Sequence, residues 1–208
     1  MIGFDVILNA FATLFVTIDP IGLAPLFIGL TSDMTPSQRR SVALRACLIA
    51  LLLMVIFLFA GQIILDTMGI TIHAFRVAGG LLLFYMAFEM VYGKRQDRKL
   101  KESETAITAD QIANISVFPL ALPLIAGPGA ISATILLASQ NVTIEWRLIL
   151  LVIIAFVILL VWLAFIASQV LDRLLGFTGR MILTRLLGVL LAALSVQFVV
   201  DGVKALIA

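Results

Sequence analysis

The sequence predicts an all-α membrane protein of six transmembrane helices, built as two inverted-topology repeats of three helices, with helices 1 and 4 broken. Three observations carry this. The chain is 62% apolar and only 12% charged, with a mean hydropathy of +1.19, whereas soluble domains sit near half apolar and about a quarter charged. Uncharged runs recur at membrane-spanning length, about 20 residues. The third of these runs resembles the last.

The elements follow in order. Residues 6–32 carry one charge, Asp19, and residues 46–65, 111–144 and 148–171 carry none. Residues 77–88 and 186–200 are shorter uncharged runs. They become full spans if their flanking charges snorkel to the interfaces. The predicted helices cover 5–29, 44–65, 75–93, 113–139, 147–169 and 183–206. The polar stretch "GKRQDRKLKESETAITAD" (93–110) is predicted to be a loop or a short surface helix. Cys47 is the single cysteine, so no intramolecular disulfide forms, and it reads as a small hydrophobe. The first 30 residues lack the basic start and A-x-A end of a signal peptide, so this segment is expected to be retained. The net charge of +2 gives no reason to expect nucleic acid as a partner.

Orientation follows from the Lys and Arg count. With the N-terminus outside, the first, third and fifth loops face the cytoplasm. They hold Arg39, Arg40 and Arg45, then Lys94, Arg95, Arg98, Lys99 and Lys101, then Arg173, Arg180 and Arg185. The other face keeps Arg76, Arg147 and Lys204. Both termini are therefore predicted to be periplasmic, in a multi-pass protein of the inner membrane.

"FRVAGGLLLFYMAFEMVYG" (75–93) aligns without gaps to "TRLLGVLLAALSVQFVVDG" (184–202), matching Arg76 to Arg185, Gly79 to Gly188 and Gly93 to Gly202. The same register nearly aligns Pro20 with Pro128. This divides the chain into a first repeat (1–93), a cytoplasmic linker (94–112) and a second repeat (113–208). An odd number of spans per repeat makes the second enter from the opposite face, a common construction in secondary transporters.

Proline near the middle of a helix removes a backbone hydrogen bond and clashes with the preceding turn. Asp19-Pro20 reads as an N-cap followed by a first-turn proline, so the first span is predicted to be two half-helices. Gly127-Pro128-Gly129 sits at the middle of the fourth span and reads the same way. Irregular backbone at that depth is tolerated only where it is buried in protein or lines a cavity. A half-helix N-terminus suits an anion such as a carboxylate. Gly22, Gly127 and Gly129 would let a small ligand touch the backbone, and Asp19 would take an ammonium group. A zwitterion of amino-acid size fits that pattern.

"TIDPIGLAPLF" and "PLALPLIAGPGAI" resemble the two signature motifs of the MarC family, also called UPF0056. The resemblance covers essentially the whole chain. It implies six helices, an inverted repeat and a site at the first and fourth spans. Some relatives transport small neutral amino acids such as glycine and alanine.

Individual residues keep two readings each. Asp19 binds substrate ammonium or a coupling ion, H⁺ or Na⁺, or it only caps its own half-helix. Asn9, Thr13 and Thr17 form a stripe that lines a route to Asp19 or joins helices. Ser132 and Thr134 bind ligand or bond back to their own helix. Glu89 is expected to pair with Lys94. His73 is expected in an exposed external loop, and Arg76 and Arg185 as interfacial anchors or gating pairs. Ser195 and Gln197 are packing contacts. The functional expectation is a secondary transporter of small neutral amino acids, with substrate held by Asp19, Pro20, Gly22, Gly127, Pro128, Gly129, Thr17, Ser132 and Thr134. The alternatives are a sensor or assembly protein without transport, or an exporter of another small metabolite. One histidine, one cysteine and a single mid-span acid argue against an enzyme, a metal site or a cofactor. Homo-oligomerisation is left open.

Overall fold

A computed structural model describes residues 3–31, 34–94, 115–141 and 143–207. The first span is α1 (Phe4–Ile18) followed by α2 (Pro20–Leu30). α3 (Pro36–Thr67) starts at a capping box. There the Thr35 hydroxyl accepts from the Gln38 N–H and the Gln38 side chain accepts from the Thr35 N–H. Gly69, at φ 71°, turns the chain into α4 (Ile72–Val91), which Thr71 caps through the Ala74 N–H. An irregular wide-turned segment, α5 (Ser116–Ile125), leads into α6 (Pro128–Ser139) at a 55° bend. α7 (Ile144–Ile166), capped by Thr143, and α8 (Ser168–Ile207), interrupted at Gly176, complete the chain.

Five stretches are long and apolar enough to cross a membrane: Phe4–Leu30, Pro36–Thr67, Ile72–Val91, Ile144–Ile166 and Met181–Ile207. The bent pair α5–α6 makes six. Leu44, Leu48, Leu52 and Ile56 recur every four residues on α3 and are all exposed, as a lipid-facing stripe requires. The first span is 67% buried over its most apolar window, whereas the other four are 28–44% buried. The broken span therefore lies at the centre and the straight helices surround it.

Packing pairs the helices in a regular way. α4 runs along α8 in the most extensive contact, and α3 along α7. α2 touches α7 as α6 touches α3, and α2 touches α8 as α6 touches α4. Close approach of α4 and α8 depends on glycine. A Cβ on Gly80 would stand 3.0 Å from the Ser195 carbonyl oxygen, and one on Gly188 would stand 3.1 Å from that of Ala87.

Two expectations change. The 113–139 helix is not one rod with a single break. Phe118 (φ −131°, ψ 123°) and Leu122 (φ −126°, ψ 129°) are extended. Each precedes a proline, whose ring disfavours helical backbone in the residue before it. Wide i→i+5 bonds, Leu120 N–H to Ile115 C=O and Ala126 N–H to Ala121 C=O, fill the turns between. His73 is not in an exposed loop. It lies in the first turn of α4, half-buried, with a buried Nδ1 that has no hydrogen-bond partner. The last span, Met181–Ile207, matches the predicted 183–206, and a further helical stretch from Ser168 precedes it across the break at Gly176. The 94–112 linker lies outside the described residues except for Lys94.

Candidate functional site

Asp19 is the joint of the first span. Among the described residues it is the one non-glycine with positive φ (61°, ψ 67°), a conformation that Asp tolerates better than most side chains. Its N–H donates to the Phe15 carbonyl at 2.9 Å and closes α1. Its Oδ1 accepts from the Gly22 N–H at 3.0 Å, and its carbonyl accepts from Leu23 at 3.1 Å, so it also opens α2. One residue is the C-cap of one half-helix and the N-cap of the next. Asp19 is 3% exposed, and Pro20 and Gly22 are buried beside it. Glycine at 22 makes room for this arrangement, because a Cβ there would overlap the Asp19 carboxylate.

The second joint differs. Gly127 is extended (φ −77°, ψ 171°) and puts no side chain on the start of α6. The helix ladder begins at the Ile131 N–H, bonded to the Gly127 carbonyl at 3.0 Å. A Cβ on Gly127 would collide with the Pro123 carbonyl. Pro128 is exposed, unlike its counterpart Pro20.

The two joints meet through Thr17 and Gly129. A Cβ on Gly129 would stand 3.4 Å from the Thr17 methyl and overlap the sulfur of Met86 from α4. Thr17 is 2% exposed and its hydroxyl donates to the Thr13 carbonyl at 2.6 Å. Thr13 donates in turn to the Asn9 carbonyl at 2.8 Å. The polar stripe of α1 is thus a chain of bonds to the preceding turn. Ser132 and Thr134 point elsewhere on α6. Ser132 stands against Gly79 of α4, and Thr134 bonds to the Ala130 carbonyl at 2.8 Å while facing the Met54 sulfur of α3 at 3.7 Å. The structure therefore gathers Asp19, Gly22, Thr17 and Gly129, and turns Ser132 and Thr134 toward neighbouring helices.

Two residues of this region were not singled out as site residues from the sequence. Met86 covers the junction at Gly129 and is 7% exposed. Nothing in its local pattern separates it from other apolar residues of α4. Glu89 follows one turn later and is only 4% exposed, whereas Lys94 is exposed. An acid inside an apolar run was the available signal for it.

Chemically the two helix starts carry opposite charge. The start of α2 carries a carboxylate that satisfies its own helix. The start of α6 carries the positive end of a helix dipole with no side-chain cap.

The sequence comparisons agree with one another. A family model described as "MarC family integral membrane protein" matches residues 4–207. A UPF0056 membrane protein of Archaeoglobus fulgidus is 41% identical over 93% of this chain and 90% of its own. The UPF0056 membrane protein YhcE of Escherichia coli K12 is 39% identical over 98% and 94%. YvbG of Bacillus subtilis 168 is 33% identical over 98% and 96%. No solved structure matches.

Proposed function

The chain belongs to the MarC family of integral membrane proteins, and we propose that it is a secondary transporter of small neutral amino acids. One observation carries the reading. Two mid-helix breaks are packed against each other at Thr17 and Gly129, one with a carboxylate and the other with an uncapped helix start. A glycine- or alanine-like zwitterion is complementary to that pair. Its carboxylate takes the N–H groups at the start of α6. Its ammonium takes Asp19, which also serves the coupling ion, H⁺ or Na⁺. The protein then binds and moves its substrate without a catalytic step.

An inverted repeat supplies the way to expose such a site to either side in turn. The matched packing of α2 on α7 with α6 on α3, and of α2 on α8 with α6 on α4, supports it. So does a constant offset. The shift that carries Pro20 onto Pro128 also carries Thr35 onto Thr143, both helix caps, and Arg39 onto Arg147. It carries Gly80 onto Gly188, which make equivalent contacts on the facing helix. The membrane is the inner membrane, with both termini outside by the distribution of Lys and Arg.

The test is uptake of labelled glycine and alanine into proteoliposomes holding the purified chain, under imposed H⁺ or Na⁺ gradients. Saturable, gradient-driven uptake above empty liposomes is the expected result. Binding without uptake would favour the sensor reading, and neither would remove the amino-acid assignment.

A further inference from the structure

Away from the helix breaks, the ends of α3 and α6 and the start of α7 line a small cleft of about 20 Å³, open to the surface. Gln62 near the end of α3, Ser139 at the end of α6 and Arg147 in the first turn of α7 line it, with Phe57 and Ile135 as its apolar wall. Arg76, from the second turn of α4, reaches the same place, with Nη2 3.4 Å from the Ser139 hydroxyl. The Nε of Arg76 and the Nε of Arg147 are both buried and have no hydrogen-bond partner. Among the described residues neither guanidinium has a carboxylate within ion-pairing distance; Asp66 is instead bonded by Gln62 at 2.9 Å. A buried N–H without an acceptor is costly, and here two guanidinium groups each hold one beside the same cleft.

The counterpart at the other end of the molecule shows what a settled arginine looks like. Arg39, which the repeat offset carries onto Arg147, donates its Nε to the Thr31 carbonyl at the end of α2, at 2.9 Å. Arg147 has no such bond from its Nε. The face that holds the cleft is also the one poor in basic residues, with only Arg76, Arg147 and Lys204. Two of these three converge on one cleft. A side chain that only reached outward to water would need no buried Nε.

We propose that Arg76, Arg147 and Ser139 form a binding site for a phosphate group, carried at this depth by a phospholipid headgroup. Two guanidinium forks supply parallel donors that match phosphate oxygens, and Ser139, whose hydroxyl donates to the Leu136 carbonyl at 2.8 Å, holds Arg76 at the cleft by accepting from its Nη2. Both arginines sit within two turns of the start of their spans, the level at which lipid phosphates lie. The wall of Phe57 and Ile135 suits the adjoining glycerol and acyl carbons. The site shares α6 with the second helix break, so its occupant bears on the far end of that half-helix.

The test uses the full chain in neutral detergent and reads the melting temperature during titration with phosphatidylglycerol, phosphatidylcholine or inorganic phosphate at matched ionic strength. Saturable stabilisation by phospholipid is expected. In Arg76→Gln/Arg147→Gln its midpoint should move at least about tenfold, while Arg39→Gln should titrate as wild type. If the double variant does not fold, Arg76→Lys/Arg147→Lys keeps the charge but loses the fork, and should weaken binding several-fold. Response to both phospholipid and inorganic phosphate supports a phosphate site open to either source. Response to phospholipid alone assigns it to the headgroup. No titration in the wild type, or identical midpoints in the wild type and the arginine variants, overturns the proposal.

Discussion

The carboxylate of Asp19 sits where a side chain on residue 22 would begin, and its Oδ1 accepts the Gly22 N–H at 3.0 Å. The bend of the first span thus depends on a residue pair, an acid that caps and a glycine that makes room for it. Gly22→Ala should lower stability by about 1–3 kcal/mol, the usual range for overpacking. Asp19→Ala loses a cap, about 0.5–2 kcal/mol. The double variant should lose less than the sum of the two, because without the carboxylate the alanine meets no clash. Melting temperatures of the three variants in detergent measure this, and strict additivity would show that the two positions are independent.

The two glycines around Pro128 should respond differently. A Cβ on Gly127 meets the Pro123 carbonyl, which is backbone and cannot swing aside. A Cβ on Gly129 meets the end of Met86, a flexible side chain. Gly127→Ala should therefore destabilise more than Gly129→Ala. In a Met86→Ala background, itself destabilised by the lost packing, Gly129→Ala should cost little further, whereas Gly127→Ala should cost as much as in the wild type. If glycine at 129 also sizes the site, Gly129→Ala should weaken binding of alanine more than of glycine. Competition against labelled glycine reads that ordering.

How much of this the sequence reveals depends on how local the cause is. Asp19-Pro20 and Gly127-Pro128 announce their breaks because capping and proline geometry act within one turn. The irregular backbone of 116–125 has a local cause as well, since Phe118 and Leu122 precede prolines. Whether the chain resumes a helix between those prolines is set by neighbours, and the sequence reading missed it. Met86 over Gly129, and Arg76 beside Ser139, join α4 to α6 across many residues, and no periodicity encodes such a meeting. Six helices were legible because hydropathy is a property of composition. The register between the third span and the last was less so. Leucine matches are cheap in an apolar helix and align Gly79 with Gly188, whereas Gly80 and Gly188 make the equivalent packing contacts.

Topology has its own test. An enzyme reporter active only outside, fused after Lys99, should be silent, and the same reporter fused after Ala208 should be active. The reverse pattern would overturn the orientation drawn from Lys and Arg and leave the helix packing untouched.

The central claim is that Asp19 binds substrate or its coupling ion in addition to capping α2. Asn tolerates the left-handed backbone at this position and keeps most of the capping ability. Asp19→Asn should therefore insert and melt as wild type. Loss of one charge-assisted contact costs about 1.5–3 kcal/mol, roughly ten- to a hundredfold in apparent affinity. The decisive measurement is gradient-driven uptake of labelled glycine into proteoliposomes, comparing wild type with Asp19→Asn at equal protein. Saturable uptake by the wild type, with at least a tenfold loss in Asp19→Asn, is the result predicted. Equal uptake by both would contradict the account and leave Asp19 as a cap alone.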